Sequence, residues 1–296
     1  MMKVEFSENI SKELKDSVNA IIKLLDNLDS DIQVIVDNTS LRVNESEEFQ
    51  CDNASEYRRV FLSRTTVDTL WLMAYSHVNF YDVYCKTNKM DGNEHVLNNP
   101  KWKKSKKMLN WIKDKIMKNQ LSTFDANNFP KYGRSKKEIN IAYKYAVLFF
   151  IAHELYHLKF AGKYPTPCLD EEKECDHNAT KLILNNFSDG DYIPKAKGVC
   201  IGLMYLNMVG IYGKYYDGIT HPLTYDRLIN NLKNHFGKEN DNIWKFVVSI
   251  FALHMTNANI ISKDKNITPS TNYLSATLKY KKKLEEDINK SAMNKT

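Results

Sequence analysis

Ile139, Ala142, Tyr145, Ala146, Phe149 and Phe150 recur at helical spacing, and the face they define continues into His153 and His157. No other stretch constrains the fold as strongly. A helix with such a stripe must be covered by neighbouring elements, and the cover then extends over two imidazoles that need partners. Ser135 and Glu138 form an S-x-x-E capping box at the start of this helix. Its end is expected near Gly162, where Lys159 and Lys163 suit the negative pole.

Within this segment His153-Glu154-Leu155-Tyr156-His157 places two imidazoles four residues apart. On a helix they stand one turn apart on one face, so both rings can reach a single ion. Glu154 lies about a quarter turn round, beside such an ion and not in its path. Ligands that acidify a bound water, together with a base that takes its proton, are the equipment of a zinc hydrolase, and H-E-x-x-H is its signature. The plain alternative is a solvated histidine pair on an amphipathic helix.

A tetrahedral zinc site needs a third protein ligand and a fourth position for water. The next helix, expected over roughly Asp170 to Asn185, begins Asp170-Glu171-Glu172-Lys173-Glu174-Cys175-Asp176. Glu172 and Asp176 are one turn apart and share a face with Ala179 and Ile183. Glu172 is the expected ligand. Asp176 is expected to accept the free ring N–H of a ligating histidine and fix its orientation. Glu171 and Glu174 point to other faces and read as solvated, as does His177.

The 296 residues are 43% apolar and 26% charged, enough to bury a substantial core. Met1 to Asp16 lacks the apolar core of a signal peptide. The apolar windows Tyr145–Ala152, Val199–Tyr212 and Ile243–Met255 fall short of the ~18 uncharged residues of a spanning helix. The five cysteines show no C-x-x-C spacing, which excludes a signalled disulfide framework and fits a reducing cytoplasm. Net charge is only +6, and no specific nucleic-acid partner is expected. The run Lys101–Lys107 opens a helix carried on by Leu109, Trp111, Ile112 and Ile116. It reads either as a solvated face over a buried stripe or as a docking site for acidic lipid, nucleic acid or protein.

Helical periodicity covers Ile10 to Leu28, and alternation follows at Ile32–Val36, Leu41–Val43 and Tyr57–Ser63. These short runs predict a small, largely antiparallel sheet in an α+β, mainly α fold. Long helices follow from Thr65, from Pro194, over Thr224–Asn234 and over Asn242–Met255. The expected organisation is one domain, with an N-terminal α/β portion (1–134), a helical metal-site portion (135–262) and a charged C-terminal tail (263–296).

H-E-x-x-H, a short connection and E-x-x-x-D on a helix resemble the gluzincin arrangement, in particular the zinc endopeptidases related to the CAAX prenyl endopeptidases. Those families carry a later T-H-P-x-x-x-x-R element, matched here by Thr220-His221-Pro222 through Arg227. For His221, stabilisation of an oxyanion and a purely structural place at a helix start are both open. Arg227 reads as an anchor through a carboxylate pair, or as an aid to the transition state. Chain length, the N-terminal α/β portion and the central E-x-E-C-D resemble the Lit-type phage-exclusion peptidases. That resemblance implies a cytoplasmic, conditionally active metallopeptidase with a zincin-like fold, its sheet packed on the H-E-x-x-H helix. It implies Zn²⁺ on His153, His157 and Glu172, Glu154 as base, and a protein substrate such as elongation factor Tu. A phage-derived activator is a further implied partner, for phage defence. The alternative is a zincin-like sensor or regulatory protein whose metal site is structural or conditionally active.

Overall fold

The computed structural model describes residues 3–6, 12–25, 33–36, 50–52, 59–62, 64–87, 99–117, 137–160, 163–164, 168–186, 192–213, 224–237, 241–257 and 273–293. Nine helices lie among the described residues: α1 (Lys12–Leu24), α2 (Arg64–Thr87), α3 (Pro100–Met117), α4 (Lys137–Phe160), α5 (Leu169–Asn186), α6 (Tyr192–Gly213), α7 (Thr224–Phe236), α8 (Asp241–Asn257) and α9 (Tyr273–Met293). The chain is a helical protein, and the expected α+β fold with a largely antiparallel sheet is corrected. Four strands of three or four residues form only a small patch: β1 (Lys3–Phe6), β2 (Gln33–Val36), β3 (Gln50–Asp52) and β4 (Arg59–Leu62), in the order β1-β2-β4-β3. β1–β2 and β2–β4 are parallel, and β3–β4 is antiparallel.

The physical reason lies in the connections. α1 runs between β1 and β2 and returns the chain in the same direction, which a tight hairpin cannot do. Alternation at Ile32–Val36 and Tyr57–Ser63 located β2 and β4 but carried no information on the direction of pairing. The expected strand at Leu41–Val43 lies outside the described residues, as does Ser135 of the capping box.

The core is built around α4. Every residue from Ala142 to Tyr156 is buried, so the helix is covered on all sides and not along one stripe. α6 packs along it most extensively, with α5, α2 and α1 on its other faces. Val60 and Leu62 of β4 are buried in the same hydrophobic cluster. Gly198 permits the close approach of α6. A Cβ there would lie 2.5 Å from Tyr145 Cβ and 2.7 Å from the Ala142 carbonyl oxygen. Gly198→Ala should therefore push the two helices apart and cost about 1–3 kcal/mol, measurable by urea denaturation.

On α3, Trp102, Met108, Leu109 and Ile112 are buried while Lys101, Lys103, Lys104 and Lys107 are exposed, so the lysine run forms a solvated face above an apolar one. The charged C-terminal segment carries a helix among its described residues. α9 packs on α8 and buries Ala276, Thr277, Tyr280 and Leu284. Among the described residues no helix is long and apolar enough to cross a membrane.

His77 of α2 and His254 of α8 form a buried pair, with Nε2 atoms 3.3 Å apart and rings nearly parallel at 3°. His77 Nδ1 donates to the Met73 carbonyl at 2.8 Å. Burial lowers His77 to about 4, against the raising effect of its Met73 bond. Burial also lowers His254, with the charges of His77 and Lys113 adding to it. Both rings are therefore neutral in the folded chain. Below the ordinary histidine value near 6.5, the unfolded chain binds protons that the folded chain does not, so stability falls as pH falls from about 6.5 toward 4. Thermal melts across that window should show a loss on the order of 3 kcal/mol from His77, with His254 shifting stability in the same direction. A His77→Gln variant should be flatter.

Candidate metal centre

The last two turns of α4 carry His153, Glu154 and His157 onto the start of α5. The first turn of α5 holds Asp170, Glu171 and Glu172, where negative charge suits the positive end of the helix dipole. The same acidic start delivers carboxylates to the imidazoles. His153 Nε2 and His157 Nε2 are 3.0 Å apart. Glu172 Oε2 lies 3.5 Å from His153 Nε2, and its Oε1 lies 3.5 Å from His157 Nε2. Ligand atoms of these three residues all fall within 4.8 Å of one another. Zinc bonds of about 2.0–2.2 Å arranged tetrahedrally put ligand atoms roughly 3.3–3.5 Å apart. The donors present therefore fit one ion of that size.

Each imidazole has a carboxylate on its other nitrogen. Asp176 Oδ1 lies 3.0 Å from His153 Nδ1, and His157 Nδ1 donates to Glu171 Oε1 at 2.8 Å. A ring that gives its Nδ1–H to a carboxylate presents a bare Nε2, the form a metal requires. Arg227 reaches in from α7. Its Nη2 is 2.7 Å from Glu172 Oε2 and 2.9 Å from Asp176 Oδ1, and its Nε donates to Asp176 Oδ2. Asn231, one turn on, donates to Thr180 Oγ1 at 2.7 Å and fastens α7 to α5.

Carboxylates, imidazoles and a guanidinium meet at this site. Glu154, Glu172 and Asp176 are buried, Glu171 stands beside them, and Arg227 is the guanidinium that reaches both Glu172 and Asp176. Burial favours the protonated form of Asp176, but Arg227 and His153 outweigh it and hold the carboxylate below its usual range. Glu172 is likewise held low, by Arg227 and the two histidines against burial. Glu154 moves the other way: burial raises it, and the histidines only partly offset the rise. A carboxylate raised in this way is a better proton acceptor.

His153 is pulled in two directions. Burial disfavours its charged form, yet Asp176 and Glu172 raise it to about 9. Arg227 Nη2, 3.2 Å from Nε2, calls for that nitrogen to be bare. A cation bound there would favour the bare form. Cys175, also buried on α5, is pushed well up by burial and the surrounding carboxylates, so its thiol stays protonated in the metal-free chain.

Of the residues singled out from sequence, His153, Glu154, His157, Glu172, Asp176 and Arg227 come together. His221 lies outside the described residues. His177 is exposed and stacks on His235 at 4.5 Å between ring centroids. Glu174 pairs with Lys163 and Tyr164, away from the centre. Glu171 departs from expectation: it is 12% exposed and bound to His157, where helical spacing placed it in solvent. Its position next to Glu172 was the available signal, since a long side chain one residue before a ligand can reach the far side of the second imidazole.

Two imidazoles and a carboxylate that fit one cation, with a buried glutamate beside them, are the equipment of a hydrolytic enzyme of the peptidase class. A family model described as Peptidase U49 matches residues 60–247, from β4 into α8. The chain belongs to that family, and its substrate is accordingly a protein or peptide. No curated protein and no solved structure matches it.

Proposed function

We propose that this peptidase is a zinc-dependent endopeptidase, with Zn²⁺ held by His153, His157 and Glu172. The observation that carries this is the 3.0–3.5 Å spacing of their donor atoms. When bound, zinc supplies a Lewis acid that acidifies water and polarises a carbonyl oxygen. Glu154 takes the proton of the attacking water and delivers it to the leaving amine. Asp176 and Arg227 keep His153 and Glu172 in place, and His221 is proposed to donate to the oxyanion. From the Lit-type resemblance we further propose a cytoplasmic phage-defence protease that acts on a translation factor such as elongation factor Tu after a phage-derived trigger.

The test is incubation of the zinc-loaded chain with lysate of infected and uninfected bacteria, followed by proteomic detection of new protein termini. A discrete truncated product with wild type, lost in Glu154→Gln and on chelation, is expected. If the product is elongation factor Tu and appears only after infection, the finer assignment holds. Bound zinc with no new terminus under either condition would favour a zincin-like sensor instead.

A further inference from the structure

We propose that Glu171 is a positioning residue of the metal centre, holding His157 with Nε2 turned toward the ion. The proposal rests on the zinc reading above. His157 Nδ1 donates to Glu171 Oε1 at 2.8 Å, with the two side chains 16% and 12% exposed, so the bond is largely sheltered from competing water. The two imidazoles are unequal in support. His153 is 3% exposed in its side chain, flanked by Asp176 and Arg227, and packs on Phe149 with centroids 6.1 Å apart. His157 is the more exposed ring, and Glu171 restrains it where packing restrains it least. One helix thus serves both rings. Glu171 and Asp176 orient them from either side, and Glu172 lies between the two in sequence, within 3.5 Å of both Nε2 atoms.

Another use for an acid in the first turn of α5 is to complement the helix dipole. The two roles predict opposite orders of variants. Positioning needs an acceptor at the right distance. Glu171→Gln keeps one, whereas Glu171→Asp keeps the charge but withdraws the oxygen by one methylene, and Glu171→Ala removes the group. A dipole role is served by Asp and lost with Gln.

The experiment measures zinc affinity of the full chain by competition with a chromophoric chelator, and the His157 tautomer in the metal-free chain by long-range ¹H–¹⁵N NMR. Glu171→Ala should lose about 10- to 100-fold in affinity, with Glu171→Asp falling the same way and Glu171→Gln retaining most of it. His157 should carry its proton on Nδ1 in wild type and lose that preference in the Ala and Asp variants. Glu174→Gln, which alters an acid on the same helix outside the site, should match wild type. Asp-substituted chain that binds zinc like wild type, with the tautomer unchanged, overturns the proposal and leaves the zinc reading intact. Wild type that binds no zinc overturns both.

Discussion

Glu154→Gln is expected to lower peptide hydrolysis by at least about 10²- to 10⁴-fold while leaving zinc bound. The magnitude is that of a general base removed from its place. Gln is nearly isosteric with Glu and Glu154 is not among the three residues whose donor atoms converge, so neither folding nor metal content should change. Glu154 is buried and raised by burial, which makes it a group able to hold a proton between taking it from water and giving it to the leaving amine. Turnover of a cleaved protein substrate, with metal content measured on the same samples, checks this. Undiminished turnover in the variant would remove Glu154 from its role.

Arg227→Leu is expected to destabilise the metal-free chain by about 3–5 kcal/mol, the cost of leaving a buried ion uncompensated. Asp176 is 2% exposed in its side chain and Arg227 6%, and the same guanidinium reaches Glu172. The companion expectation is that Arg227→Leu/Asp176→Leu recovers part of the loss, because a buried pair replaced by apolar groups is often close to neutral while Glu172 still lacks the guanidinium that reaches it. Urea denaturation in the presence of chelator measures all three proteins. A single variant within about 1 kcal/mol of wild type would mean that Arg227 bears little of this charge. Arg227→Lys should fall between, since an ammonium cannot reproduce the paired contacts to Asp176.

The site was legible in the sequence wherever it follows helical spacing. His153 and His157, and then Glu172 and Asp176, lie at i and i+4 on their helices, and periodicity alone puts each pair on one face. Arg227 is singled out by the T-H-P-x-x-x-x-R resemblance and reads as an anchor through a carboxylate pair. Its partners Asp176 and Glu172 depend on how α7 crosses α5, an interhelical angle that no local pattern encodes. Glu171 required side-chain reach around the start of a helix, where spacing argued for solvent. The fold followed the same division. Most helix positions could be read from apolar period, although α6 starts two residues ahead of Pro194, which sits in its first turn where the missing N–H costs little. Strand pairing could not, because β1 and β2 meet across a whole helix and β2 meets β4 with β3 between them in sequence. Such contacts depend on the global path of the chain, and alternation in a short segment is silent about it.

The most direct test of the central claim is the zinc content of the full chain purified without added metal, measured by mass spectrometry. About one zinc per chain is predicted for wild type and for Glu154→Gln, with strong depletion in His157→Ala and Glu172→Ala. Wild type with zinc content near zero that takes up none on addition would contradict the account.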